Sequence, residues 1–491
     1  MLNDPRTWVR RTGVTALMAL GLVAAACIPD APVPATTTLP PGNAWSADTV
    51  GTRGHLELDQ LLPTGAAGRP GGGLVLAARD ASAPAPTVRA LRADGSAEWN
   101  HTPTDAIGVG PVAAGPSGTT MVAERPTGAA LGVATTPEQY DPAPRIVRLL
   151  SNGQPDPTFG IGGRAELSVP LEATPLPTDA DTLPQFRYVS GLSVDGAGRT
   201  LVAVRSFTQN EGGINCAKWG RPFRVHLLLL TAAGQPDPTF NGGAALSLLD
   251  GNNGCDGRGS ILTLVEDHLA MRPDGRVLLH AVADSPLVQV LADGTGLDPT
   301  FGVGGRVTAA TAVPNWVGRN SPVPLGMVLR PSDGSVVFGV ANRACAQFSS
   351  ADPPCFSGYL EASAAGWIDP PFSPSGLLVF PPTSSAIVPV TPVGEPDGSF
   401  WLAGYLPEIT PTGTDQVLFR GHLSANGDLI DRTEVDWPLR PRLLIARMTN
   451  IYEAAPAPRQ VADGLGTTYL VGIPITIGGG IVGPTTVVRL P

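Results

Sequence analysis

Basic residues are scarce in this chain, and they do not form clusters. Lysine and arginine together number 32, against 42 acidic residues, which gives the 491-residue chain a net charge of −10. Nucleic-acid binding depends on clustered basic side chains that neutralise phosphates. The charge balance therefore argues against a nucleic-acid partner.

Aromatic residues are also few, at 5% of the sequence, whereas glycine and proline number 60 and 52. A chain with this much glycine and proline and no regular pattern would be disordered. Here both residues recur at turn positions between apolar runs, so the composition favours an all-β fold.

Motifs that would indicate catalysis or metal binding are missing. The six histidines are scattered, and no HExxH, GxSxG or Walker sequence occurs. Residues 250–256 have only a faint likeness to a calcium loop, because the ligand spacing and the terminal glutamate of an EF-hand are missing. The sequence therefore predicts no catalytic residue, no metal ligand and no cofactor.

The most apolar run is too short to span a bilayer comfortably as a permanent helix. It covers about residues 14–26, follows an arginine-containing start and ends in small residues directly before Cys27. This pattern predicts a signal peptide over residues 1–26 and a lipidated Cys27, as in bacterial lipoproteins; cleavage after Ala26 without lipidation is the alternative. Residues 27–43 then comprise the lipidated cysteine and a proline- and threonine-rich tether.

Four cysteines remain once Cys27 is set apart. They lie among polar and turn residues, which in an exported protein predicts two disulfides. The short separation favours a Cys345–Cys355 bond, which leaves Cys216 to pair with Cys255. Four free buried thiols are the alternative.

The dominant feature of the sequence is a degenerate two-part repeat. Its first part is a turn glycine followed by a strand-like apolar run, and it occurs seven times, at Gly72, Gly118, Gly198, Gly275, Gly334, Gly398 and Gly466. Its second part is a polar turn with the sequence DPTF, clearest at residues 156–160, 237–240 and 298–302. Short strands joined by glycine and proline turns at this period are typical of a β-propeller.

Residues 263–309 show the arrangement of one repeat. Tight-turn signals at residues 273–275 and 293–294 separate strand-like runs, since glycine accepts positive φ angles and aspartate caps the turn. Four antiparallel strands result, as in one propeller blade.

The two ends of the chain indicate how the ring closes. Residues 485–491 match the third strand of other copies and lack a fourth, whereas residues 49–58 align with the fourth-strand segment 158–167. We therefore predict one all-β domain over residues 44–491. It is a single β-propeller of seven four-stranded blades, in which an N-terminal strand completes the last blade and removes an exposed edge. The degenerate repeat at residues 88–110 leaves six or eight blades as alternatives.

The segments 152–163, 233–243 and 295–305 resemble the delta-60 repeat family, which forms tandem β-propeller units in bacterial exported proteins. The resemblance covers nearly all of residues 44–491. It implies the propeller fold and an exported protein. It implies no particular substrate, cofactor or catalytic residue.

Candidate binding residues lie in long segments that a meander of four strands places on one face of the propeller. Loops on a rigid scaffold commonly carry function. Tryptophan and tyrosine stack on sugars and peptides, and arginine supplies directional hydrogen bonds. The predicted binding residues are Arg187, Tyr188, Trp219, Arg221, Trp316, Arg319 and Tyr452. Neutral variation in segment length, and tryptophans that fill loop cores, are the alternatives.

Two other groups have different predicted roles. The DPTF element is predicted to be structural, with its aspartate bonded to turn N–H groups and its phenylalanine packed between blades, because a catalytic residue is needed only once. His268 and Arg272 follow an inner strand and are predicted to line the central channel.

These features predict a monomeric, exported protein, lipid-anchored on the extracytoplasmic side, that binds or scaffolds an envelope protein or polysaccharide without catalysis. A propeller enzyme acting on a glycan, a hydrolase or lyase, is the first alternative; it would need two carboxylates about 5 to 10 Å apart. A passive structural protein is the second alternative.

Overall fold

The structure is a computed structural model, and all of its described residues lie within one compact unit, Thr37–Pro491. The described residues are 55–58, 61–80, 86–126, 143–169, 185–208, 224–249, 268–280, 287–307, 322–330, 333–342, 357–368, 377–378, 388–389, 391–395, 397–410, 413–425, 428–435, 459–472 and 485–490.

The described strands form seven antiparallel sheets, one for each predicted blade. Blade 1 comprises β2 (Leu61–Gly68), β3 (Leu74–Asp80), β4 (Pro86–Leu91) and β5 (Ala97–His101). Blade 2 comprises β6 (Ala106–Ala114), β7 (Thr120–Pro126), β8 (Arg145–Leu149) and β9 (Arg164–Glu166). Blade 3 comprises β10 (Gln185–Val194), β11 (Thr200–Thr208), β12 (Arg224–Leu230) and β13 (Leu246–Leu249).

The remaining blades follow the same order. Blade 4 comprises β14 (His268–Met271), β15 (Val277–His280), β16 (Leu287–Val290) and β17 (Arg306–Val307). Blade 5 comprises β18 (Pro322–Leu329), β19 (Val336–Asn342), β20 (Ser357–Ala362) and β21 (Leu377–Leu378). In blade 6 the first strand is split into β22 (Val388–Pro389) and β23 (Val393–Gly394), both paired with β24 (Phe400–Thr410), and β25 (Gly413–Leu423) and β26 (Leu429–Val435) follow. Blade 7 comprises β27 (Arg459–Ala462), β28 (Thr468–Gly472), β29 (Thr485–Leu490) and β1 (His55–Leu58). Single 3-10 turns lie at Pro116–Gly118 and Asn241–Gly243.

The first strands of the blades form a closed series of neighbours. β2 contacts β6, and the contacts continue through β10, β14, β18, β23 and β27 back to β2. The first strand in the chain, β1, pairs antiparallel with the last, β29, with Leu58 opposite Thr485. The strand arrangement is therefore that of a seven-bladed β-propeller, and the predicted completion of the last blade by an N-terminal strand is confirmed.

The repeat glycines precede the second strand of each blade because they close the turn that joins it to the first. In blade 4, Gly275 has a φ of 86° and donates its N–H to the carbonyl of Arg272. Asp274 accepts the N–H of Arg276 through its carboxylate. Glycine is the residue that adopts this positive φ without steric cost, which explains why it recurs at this position.

The core lies between successive blades, so the second strands are buried on both faces. In β11, Leu201 and Ala203 belong to the cluster shared with blade 4, whereas Val202 and Val204 pack with residues of blade 2. The sequence of a strand buried on both faces is a continuous apolar run rather than an alternation of apolar and polar residues. This burial accounts for the apolar run that follows each repeat glycine.

In blades 2, 3 and 4 the DPTF element joins the blade to the next one, as predicted. Phe240 of blade 3 is 1% exposed and packs with the apolar residues of blade 4. A Cβ atom placed on Gly294 of blade 4 would lie 2.7 Å from the Phe240 ring, so the fit requires glycine. Phe159 with Gly234, and Phe301 with Gly366, repeat this contact.

Blade 1 makes the same contact with a different residue. Trp99, on β5, packs against Gly153 of blade 2, where a Cβ atom would lie 2.7 Å from the indole. No DPTF sequence precedes this tryptophan, so the sequence pattern did not identify it. The contact between neighbouring blades requires a large ring packed against a glycine. The DPTF motif is one way to supply that ring.

Candidate ligand-binding face

Strand direction divides the propeller ends into two faces. The turn face carries the compact turns between first and second strands and between third and fourth strands, such as residues 195–199 and 231–245. The opposite ends of the strands define the long-segment face. The long segments that begin and end at those strand ends are 127–144, 167–184, 209–223, 250–267, 308–321, 343–356, 436–458 and 473–484.

Two of the predicted binding residues are described by the structure. Arg187 and Tyr188 are half-buried and lie within β10, not in a loop as the sequence interpretation placed them. The stretch QFRYVSGLSV is rich in aromatic and β-branched residues, and it extends the first strand of blade 3 to the long-segment face. The other predicted binding residues, Trp219, Arg221, Trp316, Arg319 and Tyr452, and all five cysteines, Cys27, Cys216, Cys255, Cys345 and Cys355, lie outside the described residues.

A polar group surrounds Arg187 on the side of blade 3 that faces blade 2. Arg187 donates a hydrogen bond from Nη1 to the carbonyl oxygen of Val169, 2.7 Å away. The imidazole of His226 is fully buried and lies 2.9 Å from the hydroxyl of Ser206 through Nε2 and 2.8 Å from the hydroxyl of Ser247 through Nδ1. Of this group only Arg187 could be identified from sequence patterns, because its members come from four different strands.

The His226 imidazole is neutral at physiological pH. Burial, together with the positive charges of Arg224 and Arg187, lowers its pKa to about 4. A neutral imidazole has one donor and one acceptor nitrogen, which the two serine hydroxyls match.

A second polar group lies on the long-segment face between blades 1 and 2. Arg145 contacts both Asp105, 2.6 Å from Nη2, and Glu124, 2.7 Å from Nη2. Arg164 also bonds to Asp105. The hydrogen bond from Arg145 and the charges of both arginines hold the pKa of the Asp105 carboxyl below its usual value.

This group brings together the pair of carboxylates that a glycan hydrolase would need, but Glu124 is not accessible. The Glu124 side chain is 0% exposed, and the Arg145 guanidinium bridges it to Asp105. A catalytic acid must touch its substrate, and a buried carboxylate held by arginine is typical of a structural ion pair. We therefore interpret Asp105, Glu124 and Arg145 as a structural link between the blades.

The prediction that Arg272 lines the central channel is wrong. Arg272 is 8% exposed and donates from Nη1 to the carbonyl of Gly334 and from Nη2 to that of Ala364, both in blade 5. It follows β14 in the first turn of blade 4, which places it on the turn face between blades. His268 lies half-buried on β14, directly opposite His280 in the strand register.

The DPTF aspartates have the predicted structural role. Asp237 accepts the N–H and the hydroxyl of Thr239 at 2.9 and 2.6 Å, and Asp156 and Asp298 make the same bonds in their own turns. These contacts fix the turn that delivers the phenylalanine to the next blade.

No group of three or more histidine, cysteine, aspartate or glutamate side chains among the described residues is arranged to hold a metal ion. Within the described part of the chain, no helix has the length and apolar character needed to cross a membrane.

Comparison with known proteins shows likeness in fold only. No family model matches the chain, and no curated protein matches it in sequence. Among solved structures, the chain is similar to a member of the DUF4221 family from Bacteroides vulgatus, with 8% identity and a TM-score of 0.37 over 89% of this chain and 96% of that one. It is also similar to a protein of unknown function from Bacteroides caccae, with 13% identity and a TM-score of 0.35 over 64% and 84% of the two chains.

Several of the similar structures are enzymes. A luciferin-regenerating enzyme shares 11% identity with a TM-score of 0.33 over 71% of this chain and 87% of that one. At such low identities these similarities transfer no activity to this chain.

Proposed function

We propose that the protein is a lipid-anchored, extracytoplasmic β-propeller of the delta-60 type that binds an envelope polysaccharide or protein through its long-segment face. The observation that carries the proposal is the asymmetry of the two faces. The described turns of the turn face are internally hydrogen-bonded, as at residues 231–245, whereas the four longest segments between described strands, 127–144, 167–184, 250–267 and 436–458, all begin and end at the opposite strand ends. A rigid scaffold with variable segments on one face is a common design for recognition.

The path of the chain supports the same face. β1 pairs with β29 in the antiparallel sense, and β29 begins at Thr485 on the long-segment face. β1 therefore runs from the turn face towards the long-segment face, so its first residue, His55, lies at the end of the strand opposite the proposed binding face.

Lipidation is tested separately from binding. We expect the full-length protein, expressed with a palmitate analogue that carries a clickable group, to be labelled, and we expect the Cys27→Ser variant to lose the label and leave the membrane fraction. A Cys27→Ser variant that keeps the label or stays with membranes would remove the lipid anchor from the proposal.

Binding is tested by co-sedimentation of the mature protein with purified envelope polysaccharides and with envelope proteins in detergent. The test variant carries Ala at Trp219, Trp316 and Arg319, and we expect it to bind at least about tenfold more weakly, because aromatic and arginine anchors dominate binding energy. The matched control carries Ala at Ile161 and Leu465, which are 88% and 66% exposed on the turn face. We expect the control variant to bind like the wild type. Equal loss in both variants would contradict the choice of face.

A further inference from the structure

Two strands of blade 6 extend beyond the rest of their sheet. β24 and β25 are the longest described strands, with 11 residues each, and they stay paired to the end of their hairpin. β22 pairs with β24 no further than Tyr405, and β26 pairs with β25 no further than Leu418. Among the described strands, residues 406–410 and 413–417 therefore pair only with each other. They are the hairpin tip.

The hairpin tip lies at the long-segment face. β24 begins at Phe400, directly after the first turn of blade 6, and runs away from the turn face. The main contacts of β24 and β25 with other described elements are within blade 6. At about 3.4 Å per residue, residues 406–410 extend the ribbon by roughly 15 Å. The tip is therefore on the face that the proposed function assigns to the partner.

The register determines which backbone groups of the tip point outwards. Thr410 and Gly413 are the last pair before the hairpin turn, so each bonds to the other through its N–H and its C=O. Hydrogen-bonded and non-hydrogen-bonded pairs alternate along an antiparallel ladder. Thr414 and Gln416 therefore belong to non-hydrogen-bonded pairs, and their N–H and C=O groups point away from β24.

The two edges of the tip differ in their capacity to bind another strand. Pro407 of β24 is opposite Gln416, at a position whose backbone faces outwards, and it has no N–H to donate. Proline at an edge is a common device against the addition of a strand. The β25 edge keeps the outward N–H and C=O groups of both Thr414 and Gln416. Their spacing of two residues is the one at which a further antiparallel strand bonds.

The register also places two acidic residues directly opposite each other. Glu408 of β24 is opposite Asp415 of β25, so both are on the same face of the hairpin. Like charges at directly opposite positions destabilise a strand pair. The sequence of residues 406–417 contains no lysine or arginine. A cationic partner at this face would offset the repulsion.

We propose that the β25 edge at Thr414 and Gln416 docks an extended, basic segment of a partner protein, which adds a strand to the hairpin tip. The inference rests on the proposed function and selects a protein partner over a polysaccharide. An isolated two-stranded hairpin is at best marginally stable in water, so a third strand stabilises the tip as it binds. In this mode of recognition main-chain hydrogen bonds supply the affinity, and the side chains of alternate residues supply the specificity.

The test is calorimetric titration of the mature protein with three synthetic peptides of equal length. The basic peptide alternates lysine and valine, the acidic peptide alternates glutamate and valine, and the third is the basic peptide with all its amides N-methylated. We expect the basic peptide to bind at least about tenfold more tightly than the other two. The acidic peptide is repelled by the tip, and the N-methylated peptide keeps its charge but has lost its main-chain donors.

Two double variants with the same change of charge locate the site. The charge-reversed variant carries Glu408→Lys and Asp415→Lys, and it should bind the acidic peptide more tightly than the basic one. The matched control carries Asp94→Lys and Asp274→Lys, because both aspartates are exposed in turns of the turn face. The control should bind the basic peptide like the wild type.

Amide hydrogen exchange shows whether the edge receives a strand. The N–H groups of Thr414 and Gln416 should exchange at least about tenfold more slowly when the basic peptide is bound. The N–H of Asp415, which the register directs towards β24, should exchange at the same rate with and without the peptide. Unchanged exchange at Thr414 and Gln416 would place the peptide elsewhere and overturn the proposal.

The outcomes distinguish this inference from the proposed function. Failure of the basic peptide to bind, equal binding of its N-methylated form, or an unchanged preference in the charge-reversed variant overturns strand addition. If polysaccharide binding is lost in the Trp219, Trp316 and Arg319 variant but the basic peptide does not bind, the long-segment face stands and the docking edge falls. If the basic peptide adds to the β25 edge but no envelope component binds the protein, the proposed function falls and the docking edge stands.

Discussion

Gly73 donates its backbone N–H to Oδ2 of Asp463 at 3.0 Å, although the two residues are 390 positions apart in the chain. Asp463 Oδ2 also accepts the hydroxyl of Tyr469, and Oδ1 accepts the N–H groups of Leu465 and Thr467. This carboxylate thus organises the first turn of blade 7 and joins it to blade 1. The burial of the Tyr469 hydroxyl beside it raises the pKa of that tyrosine.

The contact between Gly73 and Asp463, which joins blades 1 and 7, predicts a large loss of stability when the Asp463 carboxylate is removed. Asp463 is 6% exposed, so Asp463→Ala should leave several donors unsatisfied and lower the free energy of unfolding by about 3 kcal/mol. Asp293→Ala is the control, since the Asp293 carboxylate accepts the N–H and hydroxyl of Thr295 within its own turn. The free energy of unfolding should fall clearly less in Asp293→Ala than in Asp463→Ala. Urea denaturation followed by circular dichroism measures both, and equal losses would show that the closure bond adds nothing.

The contact between Phe240 and Gly294 predicts that alanine destabilises the protein by different amounts at two glycines with similar backbone angles, Gly294 and Gly304. Gly294 has a φ of +67° and Gly304 a φ of +59°, so alanine is strained by about 1–2 kcal/mol at either position. A Cβ atom on Gly294 would also collide with the Phe240 ring, whereas nothing lies within 4 Å of one on Gly304. Gly294→Ala should therefore cost about 1–3 kcal/mol more than Gly304→Ala.

A double variant checks that the ring is the cause. Phe240→Ala removes the collision, so the combined Phe240→Ala and Gly294→Ala change should cost less than the sum of the two single changes. If the losses of stability were additive, the Phe240 ring would not be the cause of the extra loss in Gly294→Ala.

The blade architecture could be predicted from the sequence because its determinants are local. A glycine such as Gly275 and the aspartate before it specify a turn within a few residues, and the DPTF turn bonds to itself through Asp237 and Thr239. The seven copies of this local signal give the blade count. The strand that completes blade 7 could be predicted because residues 49–58 keep the pattern of a fourth strand.

The polar groups could not be predicted, because their members come from different strands or different blades. Arg145 meets Asp105 and Glu124 from 40 and 21 residues away, and Arg272 bonds to a carbonyl 62 residues away. Each residue alone is an ordinary polar position beside a strand. The contact of Trp99 with Gly153 was missed for a related reason, since shape complementarity between blades does not require the same motif in every blade.

The buried His226 predicts a loss of stability in mild acid. Its pKa is about 4 in the folded protein against 6.5 for the unperturbed side chain, so the unfolded chain binds the proton more readily. The stability contribution is complete above pH 6.5 and is lost as the pH falls towards 4. At about 1.4 kcal/mol per pH unit, the loss is on the order of 3 kcal/mol.

Burial lowers the pKa of His280 too, and it acts in the same direction. The measurement is therefore the pH dependence of the free energy of unfolding for the wild type and for His226→Gln between pH 7 and 4. The variant should lose the share due to His226 and keep the shares due to His280 and to carboxyls with a lowered pKa, such as Asp105. An unchanged slope would show that His226 is not held neutral by the fold.

The ion-pair group of Asp105, Glu124 and Arg145 predicts that its two carboxylates contribute unequally to stability. Glu124 is 0% exposed, accepts from Nε of Arg145 and lies 2.7 Å from its Nη2, whereas Asp105 is 42% exposed and is partly solvated. Breaking a buried ion pair from one side costs about 3–5 kcal/mol, so Glu124→Gln, which keeps the shape and one acceptor, should cost about 2–3 kcal/mol. Asp105→Asn should cost less, because water compensates an exposed partner.

Thermal unfolding of the two variants, with Arg89→Gln at a half-buried arginine of blade 1 as the reference, measures which carboxylate contributes more to stability. The same variants test the enzyme alternative, since a structural Glu124 loses stability without governing any reaction. If Glu124→Gln were as stable as the wild type but abolished release of reducing sugar from an envelope glycan, the carboxylate would have to reach a substrate. Its complete burial beneath Arg145 argues against that outcome, because an acid–base catalyst must contact the group to which it transfers a proton.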